Sequence, residues 1–225
     1  TYAKRALVDG RPIMRALGLA HPELGVHPND IYMLGDALLV APVVERGAVA
    51  RDVVFPAGEW VHWFSGELIE APAGGVTKHV AAPIGMLPLF IASDQLVPLL
   101  RPTIDTLSPT TDQARVDSYA TAAGLLHLRG VARRDATVAV FDGATASQTA
   151  AGELVFGAGD ELKDGAVFEL MRADRPQSVK SAGATLSEAA DRTAFDAAKS
   201  SWLYVSADKT LHVKISGSAA ASITW

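Results

Sequence analysis

The stretch Asp30–Gly66, DIYMLGDALLVAPVVERGAVARDVVFPAGEWVHWFSG, decides the fold. Its apolar run ALLVAPVV, residues 37–44, reads as a buried strand. A short charged turn follows, then a strand at 52–55, a Pro-Ala-Gly-Glu turn, and an aromatic strand at 60–64. Short apolar segments punctuated by Gly, Pro, Asp and Asn have the spacing of a β-sandwich or barrel.

Downstream, the same pattern predicts strands at 78–82, 87–92 and 96–100. Residues 101–118 (RPTIDTLSPTTDQARVDS) are polar, contain Pro and lack apolar periodicity, so a domain boundary is expected there. A second strand series is expected at 124–131, 136–141, 145–150, 152–157, 166–172, 177–183, 202–206, 209–215 and 220–225. Leu211, Val213 and Ile215 alternate with His212, Lys214 and Ser216, as in a strand with one buried face. The segment 187–199 interrupts the series. Ala189, Ala190, Phe195 and Ala198 line either a thin helical face or a surface loop.

Upstream, PIMRAL at 12–17 reads as a short apolar strand. Pro22 and Pro28 break the following segment, and Asn29 and Asp30 are placed to cap one or two helical turns. Thr1–Val8 reads as the last two turns of a helix closed by Asp9-Gly10. The expectation is a helix whose beginning lies upstream in a larger protein; the alternative is a trimmed leader.

Composition limits the function classes. At 225 residues the chain can bury one large core or two small ones. Its 49% hydrophobic and 20% charged residues are ordinary for a folded domain. A net charge of −5 disfavours nucleic acid as a partner, because phosphates need a surplus of Lys and Arg. No apolar run approaches the length of a membrane-spanning helix, and without Cys there are no disulfides or thiolate metal sites.

Five blocks then follow in a telling order: GRPIMRAL (10–17), the start at Pro28–Asp30, YMLGDALLVAPVV (32–44), VVFPAGEWVHWFSG (53–66) and VAAPIGMLPLFIASDQLVPLL (80–100). Together they make the chain resemble the C-terminal part of glycoside hydrolase family 31, which contains α-glucosidases, α-xylosidases and related enzymes. The ordered match covers roughly the first hundred residues. Beyond 115 only position and β-rich pattern agree, with VAVFDG (138–143) corresponding to a strand that leads into an acidic turn.

This resemblance implies a mainly β fold: two consecutive antiparallel β-sandwich domains preceded by a remnant of the last strand and helices of a (β/α)8 barrel. Residues 1–36 would end the catalytic barrel, with 12–17 as its eighth strand and 29–35 as closing helical turns. Residues 37–112 would form the proximal sandwich and 113–225 the distal one. Family members are retaining enzymes with two catalytic Asp residues on earlier barrel strands, which places both upstream of Thr1. The implied partners are therefore that upstream barrel of the same polypeptide and a carbohydrate substrate. No cofactor, nucleic acid or membrane is implied.

The residues themselves agree that chemistry lies elsewhere. A retaining glycosidase needs two carboxyl groups about 5–5.5 Å apart. Glu67 and Glu70 would share a face only on a helix, yet Ser65-Gly66 and Ala71-Pro72 around them indicate a loop or hairpin. Asp160, Glu161 and Asp164 surround Lys163 in an acidic turn, and Asp191 and Asp196 sit in the interrupting segment; both groups read as solvated surface, without the regular ligand spacing of a calcium loop. His21, His27, His62, His79, His127 and His212 are scattered, with no zinc motif. No nucleophile elbow or phosphate loop is present. No catalytic, metal or cofactor-binding residue is therefore assigned.

Three structural expectations remain. Arg15 either supports an active-site floor from the eighth strand or makes an ordinary ion pair or carbonyl cap. Trp60, His62 and Phe64 alternate with Val61 and Trp63, so that strand is expected between buried layers rather than stacked on sugar. Trp202 and Tyr204 read as core, Trp225 as exposed, and Pro83, Pro88 and Pro98 as strand starts or edges. The competing reading is a stand-alone carbohydrate-binding or adhesive β-sandwich protein.

Overall fold

A computed structural model describes all 225 residues, and the chain divides into two compact units, Thr1–Gln95 and Leu96–Trp225. Both are mainly β.

The first unit opens with helix α1 (Tyr2–Asp9), ended by Gly10 in the left-handed conformation at φ 69°. A six-stranded sheet and a two-stranded ribbon follow. The strands are β1 (Met14–Ala16), β2 (Tyr32–Leu34), β3 (Leu38–Val40), β4 (Ala50–Phe55), β5 (Gly58–His62), β6 (Leu68–Ala71), β7 (Val76–Ala81) and β8 (Leu89–Ala92). The sheet order is β1-β2-β3-β8-β5-β6, and β4 pairs with β7. Met33, Leu39, Phe90, Trp60 and Ile69 from the sheet meet Val53 and Phe55 from the ribbon in one core. Phe55 and Phe90 pack edge to face, with centroids 4.7 Å apart.

Two expectations change here. Residues 29–35 form no helical turns: Asp30 spends its carboxylate on Arg51 at 2.9 Å rather than on a cap, and Tyr32–Leu34 is a strand. The strand expected at 12–17 shrinks to Met14–Ala16 and pairs antiparallel with β2 at the sheet edge. Leu17 instead opens helix α2 (Leu17–Ala20), and Pro12 and Ile13 lie in irregular backbone before the strand.

The second unit contains β9 (Val97–Leu99), β10 (Leu126–Val131), β11 (Ala136–Ala139), β12 (Thr145–Gln148), β13 (Glu153–Gly157), β14 (Gly165–Met171), β15 (Ser178–Ser181), β16 (Ala184–Thr185), helix α3 (Arg192–Ala197), β17 (Ser201–Val205), β18 (Thr210–Ser216) and β19 (Ala219–Thr224). One sheet runs β17-β18-β14-β10-β9 and the other β11-β12-β13-β19-β15-β16. Their apolar faces share a core: Leu128, Phe168, Val213 and Trp202 from the first, Ala146, Leu154, Phe156 and Ala221 from the second. The strand expected at 96–100 lies in this unit, paired with β10.

This second sheet pair is not wholly antiparallel as expected, because β10 and β14 run parallel. Three strands of the opposite sheet, β11 to β13, intervene between them in sequence. The chain crosses over through those strands and re-enters in the same direction, which a tight hairpin would forbid.

Candidate functional site

Arg15, the conspicuous cation of the 12–17 segment, lies at the centre of a charge cluster in the first unit. Its Nη2 donates to the carbonyl of Gly35 at 2.8 Å and to Asp36 Oδ1 at 2.5 Å. Asp36 also receives Arg5 Nη1 at 2.8 Å and Arg11 Nη1 at 3.4 Å, while its backbone N–H donates to the Tyr2 hydroxyl at 3.2 Å. Gly35 is in the left-handed region at φ 61°, and the Tyr2 ring fills the space its Cβ would need. One carboxylate thus ties α1, the segment after it, β1 and the β2–β3 turn together. Both ordinary readings of Arg15, ion pair and carbonyl cap, are present at once.

Helix α1 buries none of its own side chains, so this tie matters locally. Asp36→Asn is expected to cost the unit only about 1 kcal/mol, the usual size of a partly exposed ionic tie. Amide exchange across α1 is expected to accelerate markedly, whereas unchanged protection there would show that the helix holds without the carboxylate.

The other candidate residues stay apart. His21 pairs with Glu23 at 2.9 Å and His79 with Asp52 at 2.8 Å, the latter on the open surface. His62 is buried, which pushes its imidazole below the usual range, and its Nδ1 accepts from the Ser65 N–H at 3.1 Å. No group of three or more His, Cys, Asp and Glu side chains is placed to hold a metal ion. Glu67 and Glu70 lie on a hairpin, in the turn and on β6, and both are exposed. The pair that register does bring together is Glu59 and Glu70, directly opposite across β5 and β6. Glu59 accepts from the Ser93 hydroxyl at 3.1 Å. An open sheet surface gives two such carboxylates no dry pocket to separate an acid from a base.

Aromatic residues face inward. The Trp60 ring is 4% exposed and its indole N–H donates to Pro56 O at 2.9 Å. Trp202 donates to Leu186 O at 3.1 Å and Tyr204 to Ala173 O at 3.3 Å. Phe64 departs from expectation, because the strand ends at His62 and the turn beyond leaves its ring exposed. Trp225 also departs: it packs against the core, with the Arg133 guanidinium 5.0 Å from its ring. Pro88 precedes β8 and Pro98 lies in the edge strand β9, where a missing N–H is tolerated.

Besides Asp36, two carboxylates escaped sequence reasoning. Asp117 organises residues 101–123: Arg101 grips it through Nε at 2.8 Å and through Nη2, and Thr103 donates to it at 2.5 Å. These bonds, Arg101 first, hold its carboxyl at about 2. Arg101 Nη1 also reaches the carbonyls of Ala122 and Ala123 at 2.6 and 2.7 Å, so the expected boundary segment is a built loop. It frames an open polar groove of about 390 Å³ that includes Thr103, Asp105, Gln113 and Arg115.

Asp142 performs the same task for the acidic turn. Its carboxylate accepts the N–H groups of Leu162 at 2.8 Å, Ala144 at 3.0 Å and Glu161 at 3.2 Å. Burial pushes this carboxyl up, and the N–H bonds outweigh that push and hold it below the usual range. Asp160, Glu161 and Asp164 are left pointing outward, with Glu161 receiving the Tyr119 hydroxyl at 2.6 Å. Asp191 caps α3 by accepting from Ala194 N at 2.8 Å. Each of these groups is structural in its contacts.

Comparison with known proteins follows the same division. The description "Glycosyl hydrolase family 31 C-terminal domain" matches residues 10–97. A 1,3-alpha-isomaltosidase of Kribbella flavida is 40% identical over 91 residues, 39% of this chain and 12% of that protein. An isomaltosyltransferase of Sporosarcina globispora is 26% identical across 97% of this chain and 20% of its own length. The chain therefore spans a fifth or less of these two relatives. Among solved structures, the cycloalternan-forming enzyme of Listeria monocytogenes, in complex with a pentasaccharide substrate, superimposes with a TM-score of 0.76 at 24% identity. It covers 99% of this chain and 21% of that one. A Flavobacterium johnsoniae GH31 dextranase complexed with glucose gives 0.73 at 20% identity, over 100% of this chain and 30% of its own. These two likenesses establish the fold. Residues 10–97 of this chain thus match the glycosyl hydrolase family 31 C-terminal domain.

Proposed function

We propose that this chain is the non-catalytic C-terminal region of a retaining α-glycosidase that hydrolyses O-glycosyl bonds of α-linked glucosides or related sugars. The observation that carries this reading is the match over residues 10–97, set beside relatives several times longer than the chain. Residues 1–36 would then close a catalytic (β/α)8 barrel of the same polypeptide, the rest of the first unit to Gln95 would be the proximal sandwich, and the second unit from Leu96 the distal one, with the junction earlier than the 112/113 expected from sequence.

Two features of the first unit support the barrel contact. Leu7, Val8, Met14 and Leu19 expose apolar side chains along the N-terminal segment, at 88%, 84%, 56% and 78%. Four such residues close in sequence suit a surface covered by protein. Strand β1 stands at a sheet edge, and an edge strand can pair on its open side with a strand of another sheet. In this role the first unit steadies the barrel and the carbohydrate binds upstream.

Purified chain is expected to release no aryl alcohol from aryl α-glycosides, including α-glucosides and α-xylosides. Turnover that survives repurification would overturn the proposal, whether or not it persists after replacement of the Glu59 and Glu70 carboxylates. Reading the coding frame upstream of Thr1 supplies the positive test: a barrel with two suitably placed Asp residues is expected.

A further inference from the structure

We propose that the capped helix at residues 191–198 is an acid-released cover over a polar face of the second unit's five-stranded sheet. On the side of that sheet away from the core, His127, Val167, Lys214 and Ser201 form one cross-strand row. Arg129, Glu169, His212 and Leu203 form the next. Such a row ordinarily faces water, yet His212 is 7% and Lys214 5% exposed.

Helix α3 does the covering through two attachments. Phe195 is its one buried side chain; it packs with Val167 and Leu203, and its ring centroid lies 5.9 Å from that of His212. Lys214 Nζ donates to the carbonyls of Phe195, Asp196 and Ala198 at 2.9, 2.9 and 3.0 Å, occupying the acceptors at the helix end. The flanking chain is anchored independently, since Ala189 N donates to Trp202 O and Trp202 N to Ser187 O. The helix can therefore lift while the sheet stays intact.

Protons favour the lifted form because of His212. Its Nδ1 is buried without a hydrogen-bond partner. A neutral imidazole tolerates one idle nitrogen; an imidazolium carries two N–H donors and needs an acceptor at each. The closed face offers none at Nδ1, whereas water supplies one once Phe195 lifts. The charges around the ring are Glu169 from β14, Arg129 from β10, Arg192 from α3 and Asp208 from the turn before β18. His127 faces Arg192 and Asp196 from α3, Lys214 from β18, and Arg101.

Burial is the main force lowering both imidazoles; for His127, Arg192 and Lys214 add to it and bring the group to about 4. Around neutral pH, above the ordinary histidine value, the two imidazoles are unprotonated in both the closed and open forms and give closure no pH dependence; Lys214, whose ammonium burial also disfavours, belongs to the alkaline range. Below the ordinary histidine value, the open form takes up protons that the closed form refuses, and closure weakens until the closed-state value is passed.

Hydrogen exchange of the whole chain tests this. Between about pH 7 and pH 4.5, with intrinsic rates divided out, protection of the Phe195 and Ala198 amides is expected to fall at least about tenfold, the linkage of a single proton over one pH unit. Protection in β14 and β18 is expected to stay constant. His212→Phe keeps an apolar contact for Phe195 and removes a proton acceptor, so it is expected to flatten this dependence. Protection that does not fall, that falls equally in β14, or that keeps its full dependence in a His212→Phe, His127→Gln chain overturns the proposal. Nuclear magnetic resonance of the unaltered chain is a second test, free of folding defects. Protonation of His212 and displacement of the Phe195 ring are expected to share one midpoint, and an imidazolium formed beneath a seated Phe195 refutes the mechanism.

Discussion

Phe168→Ala is expected to remove about 3–5 kcal/mol from the second unit, the cost of deleting a fully buried aromatic ring whose cavity collapses only in part. Phe168 is 0% exposed and sits mid-strand in β14. Its register partners are Leu128 on one side and Val213 on the other, and Val213 in turn opposes Trp202. The ring therefore sits inside an inner-face row of four, Leu128, Phe168, Val213 and Trp202, and strands this closely packed have little freedom to move inward. With a urea slope of about 1–3 kcal/mol per molar, the midpoint for this unit is expected to drop by roughly 1 M or more. The two compact units need separate readouts, so unfolding should be followed by exchange in β14 and β18 rather than by total fluorescence, to which Trp60 and Trp63 of the first unit also contribute. A shift confined to a few tenths molar would mean that Phe168 is not the centre of the packing.

That strand was legible in sequence, and the reason is instructive. β14 and β18 are long apolar or alternating runs between turn residues, and their period is local information. The same holds for α1, whose end at Asp9-Gly10 needs only a left-handed glycine. What sequence hid depended on distant partners. Asn29 and Asp30 look like helix caps, but Asp30 is claimed by Arg51, twenty-one residues away. The 101–118 segment lacks apolar periodicity because its order is polar, built by Arg101 gripping Asp117 sixteen residues on. The parallel pairing of β10 and β14 leaves no trace in either strand, since both alternate or fill their faces as antiparallel strands would. The Arg15 cluster was half legible: the cation was conspicuous, while nothing local marks Asp36, which matters only once the fold sets three guanidiniums around it. Polar residues that hold a fold together are identified by their partners, and the partners are fixed only by topology.

Asp142 gives that argument its most demanding test. Replacement by Ala is expected to destabilise the second unit by about 3 kcal/mol, because it strands buried N–H donors rather than merely deleting attractions. Ala144 is 0% and Leu162 2% exposed, so water has poor access to the donors that Asp142 now satisfies. The neighbouring backbone is fitted to the carboxylate as well: a Cβ on Gly159 would collide with the Asp142 carboxyl group and with Ala144 N. Gly159→Ala is accordingly expected to reproduce much of the loss without touching any charge. Asp142→Asn retains one acceptor oxygen and should fall between Ala and the natural residue. The acid behaviour follows from sign. The folded state holds this carboxyl below its ordinary value of 3.8, so its stabilisation is present above that value and is lost as pH falls through the depressed one. The gap between natural chain and Asp142→Asn should then be full at neutral pH and narrow on acidification below about 4. Urea midpoints of the two chains at neutral pH and near pH 3 make the comparison. A gap that is constant across that range would mean that the oxygen atoms, and not the charge, hold the 142–162 turn.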